Sequence, residues 1–189
     1  MNDNANLKLA IFDLDGTLFN TDEVNFHAYE DAFGKFGVKL DHDYYVNECN
    51  CRHYKTFAPI ILDGNLEHLE EIHELKKEKY REYLKFAKLN THLFDVIRSI
   101  KDSYKIAIVT TASEKNVEDI LSFFEVRDLF DLLITQEDIS IPKPDPEGFI
   151  IAMEYYDADA KNCVIYEDSD VGIEAARKTG AAVMVVDKF

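Results

Sequence analysis

The sequence predicts an α/β protein: a parallel sheet core with helices on both faces, and a small all-helical region inserted after the first strand. Two observations predict the sheet. From about residue 92, short apolar runs alternate with stripes of helical period. Those runs are continuously apolar, as strands covered on both faces are. A third observation predicts the insertion, since residues 20 to 87 carry helical stripes and no convincing strand.

In chain order, Leu7 to Phe12 read as a buried strand ending at an acidic pair. Asn20, with Glu23 three residues on, has the pattern of a helix start. Val24, Ala28, Ala32 and Phe36 continue it as one stripe closed by Gly37. A long helix is expected over about Leu66 to Phe86, acids early and lysines late as the helix dipole favours. Its charges read as a solvated face. Leu93 to Ile100 and Val117 to Phe124 are helix stripes; Ile106 to Val109, Leu132 to Ile134, Cys163 to Tyr166 and Ala182 to Val186 are strands. Asp145 and Pro146 suit an N-cap and first helical position, and Val171 to Lys178 is a helix ended by Gly180.

With 189 residues the chain fits one domain or a core with a modest insertion, and 47% apolar residues are enough for a real core. The net charge of −16 opposes binding to polyanions, so nucleic acid is not an expected partner. It also opposes an anionic substrate, unless a bound cation inverts the local field. Cys49, Cys51 and Cys163 form no disulfide or zinc framework, which suggests a reducing, cytoplasmic compartment. The polar start MNDNANLK does not read as a secretory leader, and no apolar run reads as long enough to span a membrane, so neither export nor membrane insertion is expected.

Four segments put polar residues at the C-terminal ends of predicted strands, the edge where ligands bind in open α/β sheets. In Asp13-Leu14-Asp15-Gly16-Thr17, two carboxylates crowd together unless a cation or ligand lies between them, and Gly16 permits a sharp turn. Thr110-Thr111 offers hydroxyl donors, although threonine is common at strand ends. Lys143, between Pro142 and Pro144, is a positive charge on a stiff loop, or else an ordinary surface lysine. Glu167-Asp168-Ser169-Asp170 is either a solvated loop or a site for a hard cation such as Mg²⁺.

Taken together and in this order, the motifs closely resemble the haloacid dehalogenase-like hydrolase superfamily. The resemblance runs through DLDGT (13–17), Thr110, KPDP (143–146) and EDSDVGIEAARKTG (167–180), the last similar to the pattern EDSxxGIxAAxxAG. It implies a Rossmann-like core over residues 1–19 and 88–189, and an α-helical cap over 20–87 of the β-phosphoglucomutase and phosphoglycolate phosphatase type. It further implies that Asp13 is a nucleophile forming an aspartyl-phosphate, with Asp15 as general acid and base. Thr110 and Lys143 would hold the transferring phosphoryl group. Mg²⁺ would be bound by Asp13, the main-chain carbonyl of Asp15 and Asp168, with Glu167 in or near the shell. Asp15 fits the phosphatase and mutase branches; dehalogenases of the superfamily lack that acid. Asn20 departs from the acid common after DGT, a change that bears on helix capping.

The expected partner is a small phosphate ester, with no nucleic acid, no membrane, and a monomeric or weakly self-associating chain. In the cap, Arg52, His53 and Lys55 form a basic cluster suited to substrate recognition or simply to solvation, and Thr111 is a further candidate. The leading expectation is hydrolysis of a phosphate monoester. The alternatives are a β-phosphoglucomutase-like phosphotransfer and a non-catalytic binding protein that keeps the fold.

Overall fold

The computed structural model describes residues 7–49 and 52–187. The chain divides into two compact units, Met1–Asn20 with Leu89–Phe189, and Thr21–Lys88.

The first unit is built on a five-stranded sheet. Its strands are β1 (Leu9–Phe12), β2 (Lys105–Val109), β3 (Leu132–Ile134), β4 (Cys163–Glu167) and β5 (Ala182–Val185), in the order β3-β2-β1-β4-β5. Every pairing is parallel, with Leu9 opposite Lys105 on one side and Cys163 on the other. Each residue of β1 is fully buried, which explains its unbroken apolar run. Parallel strands with helices on both sides bring all the strand C-termini to one edge. Helices α4 (Thr91–Ile100), α5 (Glu114–Phe123), α6 (Glu147–Tyr155) and α7 (Asp170–Lys178) complete the layers. Phe149 and Ala152 of α6 and Ala175 and Ala176 of α7 pack with Leu9 and Ile11. Asn90, Ser113 and Ser169 cap α4, α5 and α7 through side-chain oxygens that accept from backbone N–H groups.

The second unit comprises α1 (Asp22–Gly34), a short helical turn running into a π-turn at Tyr45–Cys49, α2 (Tyr54–Ile61), and α3 (Leu69–Lys79) continuing as a 3₁₀ helix over Tyr80–Phe86. Its core is aromatic, with Phe26, Tyr29, Phe33, Tyr45, Tyr54 and Phe57 buried together.

Four expectations need correction. Helix α1 starts at Asp22, and Thr21, not Asn20, is its N-cap. Asn20 ends a two-residue strand, while the Thr21 carbonyl takes the first helical bond from Asn25 N at 2.9 Å. Asp145 accepts from Glu147 N at 3.0 Å, but Pro146 occupies the cap position. The long helix is shorter than expected and changes to 3₁₀ at the fully buried Tyr80, with no Gly or Pro to announce the change. Lys76 is not solvated: it is 8% exposed, with its ammonium 4.8 Å from the Tyr80 ring and 5.4 Å from that of Tyr29. The buried stripe of α3 is Leu69, Ile72, His73 and Lys76, so position on the helix overrode residue type.

Of the cysteines, Cys49 and Cys163 are buried free thiols, and Cys51 lies outside the described residues. Among the described residues, no helix is long and apolar enough to cross a membrane.

Candidate active site

Asp13 follows β1 directly, and its N–H donates to Tyr166 O of β4 at 3.0 Å, one step beyond the strand. The chain then folds back sharply. Leu18 N and Phe19 N both donate to Leu14 O at 3.0 Å, and Gly16 N donates to Phe19 O at 2.7 Å. Gly16 has φ +91°, and a Cβ there would lie 2.2 Å from Asp168 Oδ2, so backbone and space both require glycine. The next residue fixes Asp168 from the other side, since Thr17 Oγ1 donates to Asp168 Oδ1 at 2.8 Å. Asn90 Nδ2 in turn donates to Thr17 O at 3.1 Å.

Lys143 reaches the same place from the loop after β3. That loop is held by Glu147, whose carboxylate accepts from Ser140 N at 2.9 Å and Ile141 N at 2.5 Å. The Lys143 ammonium donates to Asp13 Oδ1 at 2.5 Å, Glu167 Oε2 at 2.6 Å and Val109 O at 3.3 Å. Three hydrogens meet three acceptors. Glu167, last residue of β4, is completely buried, and its other oxygen accepts from Asp168 N and Ser169 N at 3.1 Å and Ser169 Oγ at 2.9 Å.

Asp13, Glu167 and Asp168 each offer a carboxylate oxygen, all within 4.8 Å of one another. Lys143 balances only one of these three charges. Burial, then the charge of Glu167, pushes the Asp13 carboxyl well above the usual range, against the pull of Lys143. Burial likewise lifts Asp168 to about 6; the Thr17 hydrogen bond opposes this and Glu167 adds to it. Burial pulls Lys143 down, but Asp13 and Glu167 outweigh it and keep the ammonium charged. An all-oxygen donor set with surplus negative charge fits a hard divalent cation. The close seating of Asp168 over Gly16 gives that set a fixed shape.

The remaining predicted site residues divide between the two units. Asp15 is half-buried on the turn after Asp13, in a bridge with Phe19. Thr110 is buried at the end of β2, next to the Val109 carbonyl that holds Lys143. Its Oγ1 accepts from Ala112 N at 3.1 Å, which leaves the O–H as a donor. Thr111 follows it, half-buried. Arg52 and Lys55 belong to the helical unit, and both are exposed. Lys55 Nζ is 3.6 Å from Glu70 Oε1, and His53 Nδ1 accepts from Lys55 N at 3.3 Å, so the basic cluster is partly engaged locally.

Sequence reasoning assigned no role to Thr17, Ser169 or Gly172. All three lie inside quoted motifs, but their partners are set by tertiary contacts of Asp168 and Glu167.

The family model described as haloacid dehalogenase-like hydrolase matches residues 10–186. The chain is 28% identical over 173 residues to the fructose-1-phosphate phosphatase YqaB of Escherichia coli, covering 90% of this chain and 91% of that protein. It is 25% identical over 181 residues to a phosphorylated carbohydrates phosphatase of Thermotoga maritima, covering 92% and 82%. The crystal structure of CbbY from Rhodobacter sphaeroides in complex with phosphate superposes with a TM-score of 0.87 at 26% identity, covering 97% of this chain and 87% of that one.

Proposed function

The chain belongs to the haloacid dehalogenase-like hydrolase family, and from that premise we propose that it is a Mg²⁺-dependent phosphatase of small phosphorylated sugars, working through an aspartyl-phosphate on Asp13. The observation that carries the proposal is the meeting of Asp13 and Asp168, from the ends of β1 and β4, with Lys143, from the loop after β3, in one cluster. The sugar-phosphate class is supported by the relatives named above that act on phosphorylated carbohydrates.

In this reading an Asp13 carboxylate oxygen attacks phosphorus in line and the ester P–O bond breaks. Asp15 gives its proton to the departing sugar oxygen, then takes one from the water that attacks the aspartyl-phosphate. That second attack releases inorganic phosphate and restores Asp13. Lys143 and the Thr110 hydroxyl hold the phosphoryl oxygens as charge builds on them. Asp13, the Asp15 carbonyl and Asp168 would hold Mg²⁺, with Glu167 beside them. Once bound, the ion supplies charge shielding at the nucleophile and polarises the phosphoryl group. The helical unit takes the role of cap, with Arg52, Lys55 and Thr111 as candidates for recognising the sugar. Lys55 would have to leave Glu70 to do so.

The test is phosphate release from a panel of sugar phosphates, with and without Mg²⁺. Wild type turns over at least one of them only with the ion, and Asp13→Asn lowers the rate by at least about 10³-fold. Equal rates in the two proteins sink the nucleophile assignment. Glucose 6-phosphate appearing from β-glucose 1-phosphate faster than free phosphate, with a trace of bisphosphate present, replaces hydrolysis by the mutase alternative.

A further inference from the structure

We infer that Ser169 and Gly172 are positioning residues: the first turn of α7 forms a seat for the Glu167 carboxylate, and through Glu167 it holds the Lys143 ammonium against Asp13.

The seat is defined on every side. Glu167 Oε1 accepts two backbone N–H groups and the Ser169 hydroxyl, as given above. That hydroxyl also accepts from Gly172 N at 3.1 Å, so it is fixed both as donor and as acceptor. The body of the carboxylate lies where a side chain of residue 172 would begin. A Cβ on Gly172 would stand 2.1 Å from Glu167 Cδ and Oε2, and 2.4 Å from Oε1. Gly172 lies within the regular helix, so it is required for space and not for backbone conformation. The carboxylate has no direction of retreat, because Lys143 lies 2.6 Å from one oxygen and three donors surround the other. Amides at a helix N-terminus also favour a carboxylate electrostatically.

Lys143 inherits this order. One of its three acceptors is a main-chain carbonyl at 3.3 Å, and Asp13 is the proposed nucleophile, whose carboxylate must be able to engage phosphorus. Glu167 is the remaining partner, and the only one of the three anchored by the helix turn. Displacing it frees the ammonium from its place beside Asp13. The use of Lys143 in turnover rests on the phosphatase reading; its position does not.

Gly172→Ala, Ser169→Ala and the conservative Ser169→Thr test this in the full chain, with two readouts. The first is acylation of Lys143 by an amine-reactive reagent, followed by peptide mass spectrometry and normalised to the exposed Lys161. The second is kcat and KM on the best sugar phosphate found above. Lys143 labelling is expected to rise about tenfold in Gly172→Ala. It rises less in Ser169→Ala and returns to the wild-type rate in Ser169→Thr. In Gly172→Ala kcat falls about a hundredfold while KM moves little. Alanine is the better helix former, so helix content by circular dichroism is maintained. Unchanged Lys143 labelling in both alanine variants overturns the seat. Faster labelling with intact kcat leaves the seat standing and overturns the role given to Lys143. Should Gly172→Ala fail to fold, the serine pair decides: Ser169→Thr labelling as fast as Ser169→Ala overturns the proposal.

Discussion

Lys143 and Lys76 both have side chains largely removed from solvent, one in each unit, and their surroundings differ in kind. Lys143 donates to two carboxylates and a carbonyl at the C-terminal edge of the sheet. Lys76 lies over two phenol rings on the buried stripe of a helix. The first arrangement gathers charge of both signs where a ligand can use it. The second fills an aromatic core with a long aliphatic stem and lets the ammonium rest against π-faces. Burial of a charge is therefore no sign of a site by itself; convergence of several charges from distant segments is.

Replacing each lysine by methionine puts that distinction at risk most directly. Lys143→Met leaves Asp13 and Glu167 as buried like charges without their ammonium. Activity should fall about 10²- to 10³-fold. Urea unfolding of the metal-free protein at pH 7 should show a loss of about 3 kcal/mol, the low end for breaking a buried pair. A variant that keeps wild-type turnover would erase the contrast with Lys76.

The next effect concerns pH. Asp168, raised to about 6 by burial, keeps its proton in the folded metal-free chain at pH values where an unfolded aspartate has lost it. Its contribution to stability is complete below the ordinary aspartate value and disappears as pH rises through about 6. A cation needs the ionised form, so its affinity rises over the same window. Mg²⁺ should raise the thermal midpoint clearly at pH 7 and scarcely at pH 5. The same increment at both pH values would show that protons and ion do not compete at the cluster.

The smallest effect is expected in the helical unit. Lys76→Met keeps the buried stem and removes the cation, so stability should change by about 1 kcal/mol or less, with kcat unaltered. A loss as large as that of Lys143→Met would mean that the charge of Lys76, and not its stem, carries most of its contribution.

The same contrast explains what could be read from the sequence. The strands and the cluster were legible because β1, β2 and β4 are largely apolar runs, with acids in contiguous motifs at the ends of β1 and β4 and threonines directly after β2. Lys143 stood out through its neighbours Pro142 and Pro144. The stripe of α3 was hidden because two of its four buried positions are His73 and Lys76, which a charge-based reading assigns to solvent. Thr17 and Gly172 escaped for another reason. Each is defined by a partner far along the chain or a few ångströms away in space, Asp168 for one and the Glu167 carboxylate for the other. Local propensity carries no trace of such partners.

The pairing of β1 with β4 sets Phe12 opposite Tyr166, which brings Asp13 level with Glu167. A slip by a single residue would turn every side chain of one strand to the opposite face and break up the carboxylate group. With the proposed Mg²⁺ site, cation uptake would work as a checksum on sheet assembly. Molecules zipped out of step would then lack the ion's ligands, so titrating a refolded sample with Mg²⁺ is expected to count the correctly aligned fraction without any substrate.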